Sequence, residues 1–150
     1  ATGCGLHLIR PLGFSTSVKA LRRAGLDYWP RLSPAEHESF DAYLASERPT
    51  RLWLFTTKAD RPVFDAHIAP GDHLVFGKET RGLPDDLLAR FTDRRVSLPM
   101  LPGERSLNLA TAVCAAVYVV LGDMRRRGEA ALDATGRLAS WTRANGPPAA

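Results

Sequence analysis

The stretch Leu74-Val-Phe-Gly-Lys-Glu-Thr-Arg-Gly-Leu-Pro84 runs from an apolar segment into a loop that contains two glycines. The apolar segment predicts a buried strand, and Gly77 and Gly82 let the backbone turn tightly and approach a ligand closely. An acid, Glu79, and a base, Arg81, lie between them. Ligands in α/β sheets bind beyond the carboxyl ends of strands, which makes this loop a candidate binding site. The alternative is that the glycines only shape a turn and that Glu79 pairs with Arg81 at the surface.

A second unusual loop occurs in Leu98-Pro-Met-Leu-Pro-Gly-Glu-Arg-Ser-Leu-Asn-Leu-Ala-Thr-Ala-Val113. Two prolines and a glycine predict irregular backbone, and Ser106 is the predicted N-cap of a helix that extends to about Met124. Helix capping alone is a good explanation for a serine at position 106 and a weaker one for an asparagine at position 108. The helix is rich in Ala, Val and Thr, and we expect it to be buried nearly all round, within the domain or against a second subunit.

The remaining elements alternate along the chain. Apolar runs predict strands at residues 5–9, 26–29, 51–56, 72–76 and 95–99. Helices are predicted at residues 17–24, 84–91 and 129–143, and a further one begins at Ser33 as N-cap and ends near Arg48. Because the strands are continuous apolar runs that alternate with helices, they predict a parallel sheet with helices on both faces.

Composition limits the class of protein. The chain has 150 residues and is 45% hydrophobic, which suffices for one domain with a core. Its two cysteines, Cys4 and Cys114, cannot form a disulfide framework, and Cys114 is predicted to be a small buried hydrophobe. The longest apolar run, 109–121, is shorter than the ~20 residues of a membrane span. With no recognisable secretory signal, we expect a reducing, cytoplasmic location and no membrane partner.

The charge is basic, with 20 Lys and Arg against 16 Asp and Glu. Arginines cluster at 22–23, 94–95 and 125–127, which is compatible with a polyanionic partner. The common catalytic and metal motifs are missing. Glu79 stands where a phosphate loop needs Ser or Thr, no Gly-x-Ser-x-Gly elbow occurs, and no zinc site is expected because the histidines lack ligand spacing. These histidines are His7, His37, His67 and His73.

The two loops together resemble a known family. Phe-Gly-x-Glu-x-x-Gly-Leu at 76–83, followed by Leu-Pro-Met at 98–100 and Ser-Leu-Asn-Leu-Ala at 106–110, resembles the second and third signature motifs of SPOUT methyltransferases. Arg-Arg-Ala-Gly-Leu-Asp-Tyr at 22–28 and Thr-Thr-Lys at 56–58 look like the small tRNA (cytidine/uridine) 2′-O-methyltransferases that modify the wobble nucleotide. The similarity extends from about Thr2 to about Met124.

The resemblance implies an α/β fold in which a parallel sheet carries a C-terminal trefoil knot, an exception to the rule that chains are unknotted. Residues 1–124 would form this domain without its first strand and helix, and 125–150 a basic extension. It also implies a homodimer, with the helix after Ser106 near the partner subunit, and S-adenosylmethionine bound in the knot. The matching cofactor positions are Phe55, Gly77, Gly82, Leu98, Met100, Ser106 and Leu107.

The implied reaction moves a methyl group from a sulfonium to a ribose 2′-hydroxyl of tRNA, without a metal. Glu79, Ser106 and Asn108 match the family's catalytic site, and we assign them to orienting the cofactor and the ribose. Arg22, Arg23, Arg81 and Arg105 are the predicted contacts to RNA, mainly to its phosphates.

The family's first motif, Asn-x-Gly-Asn-x-x-Arg with its catalytic arginine, precedes the region with which this sequence aligns. We therefore expect weak or absent methyl transfer by these 150 residues, with cofactor binding retained. Three alternatives stay open. The first is 2′-O-methylation of another tRNA or rRNA site, and the second is a catalytically impaired protein that binds cofactor or RNA. The third is a purely structural α/β domain that binds a nucleotide-like metabolite.

Overall fold

The computed structural model describes residues 2–23, 25–26 and 29–141. The chain divides into two units, Ala1–Arg48 and Pro49–Ala150. In the first unit, the strands β1 (His7–Ile9) and β2 (Ala35–His37) pair in parallel. Its helices are α1 (Val18–Arg23), α2 (Trp29–Leu32) and α3 (Phe40–Glu47). The predicted strand at 5–9 and helix at 17–24 are confirmed within the described residues.

Two predictions for the first unit are wrong. Trp29 of the predicted strand 26–29 begins the short helix α2, while residues 27 and 28 lie outside the described part of the chain. Ser33 does not cap a helix, because its φ is 40° and the chain continues into β2. The N-cap of α3 is Ser39, whose Oγ accepts a hydrogen bond from the Ala42 N–H at 3.1 Å. Pairing with β1 thus overrides the local helical signal at Ser33.

The second unit contains the parallel sheet predicted from the apolar runs. Its central strand β3 (Leu52–Phe55) lies between β4 (His73–Phe76) and β5 (Arg95–Val96), and both pairings are parallel. All residues of β3 are buried, as expected of a continuous apolar run. The helix α4 (Asp85–Arg90) follows β4, and short 3-10 turns occur at Val63–Asp65 and Thr92–Arg94.

A long helix, α5 (Leu109–Arg126), packs one face against this sheet. Ala116, Val120 and Met124 on that face are buried at helical spacing. Within this chain the helix is not buried nearly all round, because Tyr118 is 56% exposed; its burial against a second subunit stays a prediction. Cys114 is also exposed, so the prediction that it is a buried hydrophobe is wrong. Within the described ranges, no helix combines the length and hydropathy needed to cross a membrane.

After α5 the chain forms a hairpin and not the predicted helix at 129–143. The strands β6 (Ala130–Leu132) and β7 (Leu138–Trp141) pair antiparallel, and Asp133 at the turn accepts hydrogen bonds from the backbone N–H groups of Thr135 and Arg137 at 2.8 and 2.9 Å. Ala130 belongs to the core of the second unit. The helical prediction failed because the alanine-rich composition favours helix locally, whereas the Asp133 turn reverses the chain. Residues 142–143 lie outside the described part.

Candidate functional site

The segments that follow β3, β4 and β5 enclose a cavity of about 260 Å³. Parallel strands end at the same edge of a sheet, so the loops that follow them converge there. The cavity is lined by every residue that the motif resemblance assigned to the cofactor, namely Phe55, Gly77, Gly82, Leu98, Met100, Ser106 and Leu107. Glu79, Arg81 and Arg105 line it as well. The fold therefore brings residues from 55 to 107 into one site.

The apolar floor of the cavity comes from the strand ends. The rings of Phe55 and Phe76 stack with their centroids 4.7 Å apart and their planes inclined by 18°. Leu83 lies buried beside them. Leu98 and Met100 add apolar surface from the segment after β5. A flat apolar floor of this kind suits an aromatic ring such as a nucleobase.

The loop after β4 is closed by its own backbone. The Gly82 N–H donates to the Lys78 carbonyl at 2.8 Å, and Gly82 has a φ of 67°. A Cβ added to Gly77 would lie 2.1 Å from the Gly82 carbonyl carbon and 2.2 Å from the Leu83 nitrogen. No side chain fits at that distance, so the loop requires glycine at 77 for its own packing. The turn-shaping role of both glycines is thereby confirmed, at the rim of the cavity.

Glu79 contacts the start of α5. Its Oε1 accepts a hydrogen bond from the Asn108 Nδ2 at 3.4 Å. The Asn108 Oδ1 accepts from the Thr111 N–H at 3.2 Å and caps the helix. The N-cap is therefore Asn108 and not Ser106, which lies in the preceding loop and lines the cavity. The three residues predicted to be catalytic thus lie on two segments that meet at the cavity.

Sequence reasoning missed Lys58, which forms an ion pair at the cavity. Lys58 lines the cavity, and its Nζ lies 2.5 Å from the Oδ1 of Asp85 in the first turn of α4. Both side chains are largely exposed, so solvent screens the pair and its contribution to stability is small, less than ~1 kcal/mol. The motif 56–58 follows β3 directly, and its place at the carboxyl end of a strand could have identified Lys58.

The surroundings of the cavity are positively charged. Lys58, Lys78, Arg81 and Arg105 contribute cations to its lining, against the one carboxylate of Glu79. Such a rim favours a polyanionic ligand next to the apolar floor. The other predicted RNA contacts, Arg22 and Arg23, are exposed at the end of α1 in the first unit.

His7 and His37, which lie thirty residues apart in the sequence, are neighbours in the fold. The Nδ1 of His7 lies 3.1 Å from the Nε2 of His37. Spacing along the chain predicted no zinc site from the histidines, and that prediction did not anticipate that the fold brings these two rings together. The three-residue strand β2 gave no apolar signal, so its pairing with β1 could not be read from the pattern.

Known proteins resemble this chain over most of its length. Residues 1–118 match the SpoU rRNA Methylase family. The chain is 48% identical over 118 residues to a tRNA (cytidine(34)-2'-O)-methyltransferase of Saccharophagus degradans, with 78% of this chain and 77% of the relative covered. A relative of the same name in Escherichia coli K12 is 43% identical over 118 residues, with 78% and 75% covered. A solved structure, described as giving structural insights into the 2-OH methylation of C/U34 on tRNA, matches with a TM-score of 0.71 and 44% identity. That match covers 82% of this chain and 79% of the other. These similarities confirm the resemblance drawn from the two motifs, and the chain belongs to the SpoU rRNA Methylase family.

Proposed function

We propose that this protein is a methyltransferase that uses S-adenosylmethionine to methylate a ribose 2′-hydroxyl of tRNA, at the wobble nucleotide of the anticodon. The observation that carries the proposal is the cavity beyond β3, β4 and β5, which every predicted cofactor residue lines. Two relatives are named as methyltransferases of cytidine 34 in tRNA, and these names support the choice of substrate.

The residues of the cavity fit the cofactor. The stacked rings of Phe55 and Phe76 offer a surface for adenine, and the glycine-containing loop after β4 offers backbone groups at close range. When bound, S-adenosylmethionine supplies an already activated methyl group. The protein's task is then to align the ribose oxygen with the methyl carbon and the sulfur, which is a positioning effect.

We assign this positioning to Glu79, Ser106 and Asn108. The Glu79–Asn108 contact holds the loop after β4 against the start of α5. We propose that the polar groups of both segments therefore act at the same cavity. Arg81 and Arg105 are the proposed contacts to phosphates near the reacting nucleotide. Arg22 and Arg23 are proposed to contact other phosphates of the RNA, since both are exposed. The 2′-hydroxyl of a splayed-out, single-stranded nucleotide is the accepting group.

A trefoil knot and a homodimer complete the proposal. The knot is proposed from the match of residues 1–118 to the SpoU rRNA Methylase family, with which it is consistent. The dimer is supported by α5, where Tyr118 is 56% exposed on a helix dominated by apolar residues. Sedimentation equilibrium tests the dimer, with Tyr118→Glu expected to shift the mass towards one chain. A monomeric wild-type protein at all concentrations would contradict it.

The central test combines cofactor binding with methyl transfer. Calorimetry with S-adenosylhomocysteine is expected to show binding in the micromolar range, and its absence would refute the cofactor assignment. Single-turnover assays with a labelled methyl donor and excess protein then use two anticodon stem-loops, one native and one with a 2′-deoxyribose at position 34. Label is expected only on the native RNA. Equal label on both would indicate another ribose, and cofactor binding without label would favour the impaired protein.

A further inference from the structure

The first unit contains a cluster of three potential metal ligands that the proposed function does not use. The pairing register places His7 opposite Ala35 and Ile9 opposite His37, so both histidines lie on the same face of the two-stranded sheet. Glu47, the last residue of α3, faces them. Its Oε1 lies 3.9 Å from the His7 Nδ1 and 3.8 Å from the His37 Nε2, and the two nitrogens are 3.1 Å apart.

These distances define a triangle of the size of a zinc coordination site. The equidistant point in the plane of the three atoms lies about 2.1 Å from each of them, and zinc binds histidine nitrogen at about 2.0–2.1 Å and carboxylate oxygen at about 2.0–2.2 Å. We propose that His7, His37 and Glu47 bind a Zn²⁺ ion or a similar divalent transition-metal ion, with a fourth position left to water. Two imidazoles and one carboxylate suit such a metal better than Mg²⁺ or Ca²⁺, which favour oxygen ligands.

The surroundings orient the ligands. The ring of Tyr43, which is 3% exposed, meets both imidazoles edge-on, with centroids 5.5 Å from His7 and 5.3 Å from His37. The Ser46 hydroxyl donates to the Glu47 Oε1 at 3.1 Å. Fixed ring orientation and a hydrogen-bonded carboxylate are what metal sites obtain from their outer partners. The His37 side chain is only 8% exposed, whereas those of His7 and Glu47 are 25% and 30% exposed, which gives an ion and a water molecule access from one side.

An ion at this site would join elements that bury few residues within the described part of this unit. Among its described residues, only Tyr43 and His37 are buried, and β1 pairs with β2 over three residues each. The three ligands come from β1, β2 and α3, so one ion ties both strands to the helix. Small units with little apolar burial are commonly stabilised by a metal in this way. The site rests on different residues from the cavity and is independent of the proposed function.

The test uses the full chain without an affinity tag, stripped with a chelator and dialysed. Zn²⁺ is titrated in competition with a chromophoric chelator, and Co²⁺ is added separately to record its visible absorption. We expect one ion per chain, a rise of several degrees in the unfolding temperature with zinc, and a Co²⁺ spectrum of four- or five-coordinate geometry. Glu47→Gln and His7→Gln should each lower the zinc affinity at least about tenfold. The matched control is His67→Gln, an exposed histidine outside the cluster, which should leave the affinity unchanged.

The same measurements can also overturn the proposal. If the wild-type chain takes up no stoichiometric Zn²⁺, the two histidines are joined by ring stacking and a hydrogen bond without an ion, and the proposal is overturned. Retention of affinity in both Glu47→Gln and His7→Gln, or its loss in His67→Gln, would place the ion elsewhere and also overturn it. Because Glu47 lies at a helix end and is partly exposed, Glu47→Gln keeps the test open even if the histidine variant unfolds.

Discussion

Replacing Gly77 with alanine tests whether the loop after β4 shapes the cavity. The added Cβ would lie 2.1 Å from the Gly82 carbonyl carbon, 2.2 Å from the Leu83 nitrogen and 2.5 Å from the Gly82 oxygen. Real Cβ atoms do not approach closer than 3.0 Å, so backbone must move by roughly 1 Å, and overpacking of this kind costs about 1–3 kcal/mol. Because both neighbours line the cavity, we expect S-adenosylhomocysteine binding to weaken by about 10- to 100-fold, or ~1.4–2.8 kcal/mol.

Calorimetry and urea unfolding measure the two effects separately on the same protein. The control is Gly71→Ala, which lies outside the cavity and has nothing within 4 Å of the added Cβ but a φ of 89°, and which should cost only the backbone strain of about 1–2 kcal/mol. The reasoning is refuted if Gly77→Ala binds S-adenosylhomocysteine within about twofold of the wild type and unfolds at the same urea concentration.

Three further predictions concern stability. Ser39→Ala removes the N-cap of α3 and should lower the free energy of unfolding by about 1 kcal/mol, whereas Ser46→Ala in the same helix removes only an exposed contact to Glu47 and should lower it by less, as urea denaturation can show. Gly122→Ala lies within α5, with open space around the added Cβ. It should raise the free energy of unfolding by about 0.5–1 kcal/mol, and a lower urea midpoint would contradict this. The hydrogen bonds from Arg127 hold the pKa of Glu129 below its usual range. A lowered pKa stabilises the fold above the ordinary pKa of the carboxyl, and this contribution is lost as the pH falls through the lowered value. Urea midpoints of the wild type and Glu129→Gln should therefore converge as the pH falls below the ordinary range of a glutamate carboxyl, and a difference that stays constant through that fall would exclude the linkage.

The elements that could be predicted from the sequence are those whose signal is local. Continuous apolar runs at 51–56 and 72–76 predicted β3 and β4 because a strand buried on both faces has no polar positions. The glycine spacing of 77 and 82 located the cavity loop for a similar reason, since the backbone itself requires glycine there. Family resemblance then assigned the cavity residues individually.

The elements that could not be predicted depend on partners distant in sequence. The strand Ala35–His37 has no apolar pattern and forms only because β1 offers it a parallel edge. The same pairing brings His7 to His37, thirty residues away, which no ligand spacing along the chain indicates. The hairpin after α5 was missed because alanine-rich segments favour helix locally. The burial of Ala130 in the core instead stabilises this segment as a strand.

The position of Asn108 shows why a capping pattern alone was insufficient at the site. A serine hydroxyl can both accept and donate, but both hydrogen bonds then meet at one oxygen atom. The amide of Asn108 has an acceptor and separate donors. Its oxygen caps α5 through the Thr111 N–H, and its nitrogen donates to Glu79. One side chain therefore fixes where α5 begins and where the Glu79 carboxylate is held. Asn108, which the sequence favoured less than Ser106 as the cap of α5, therefore connects the two motifs that carry the family resemblance.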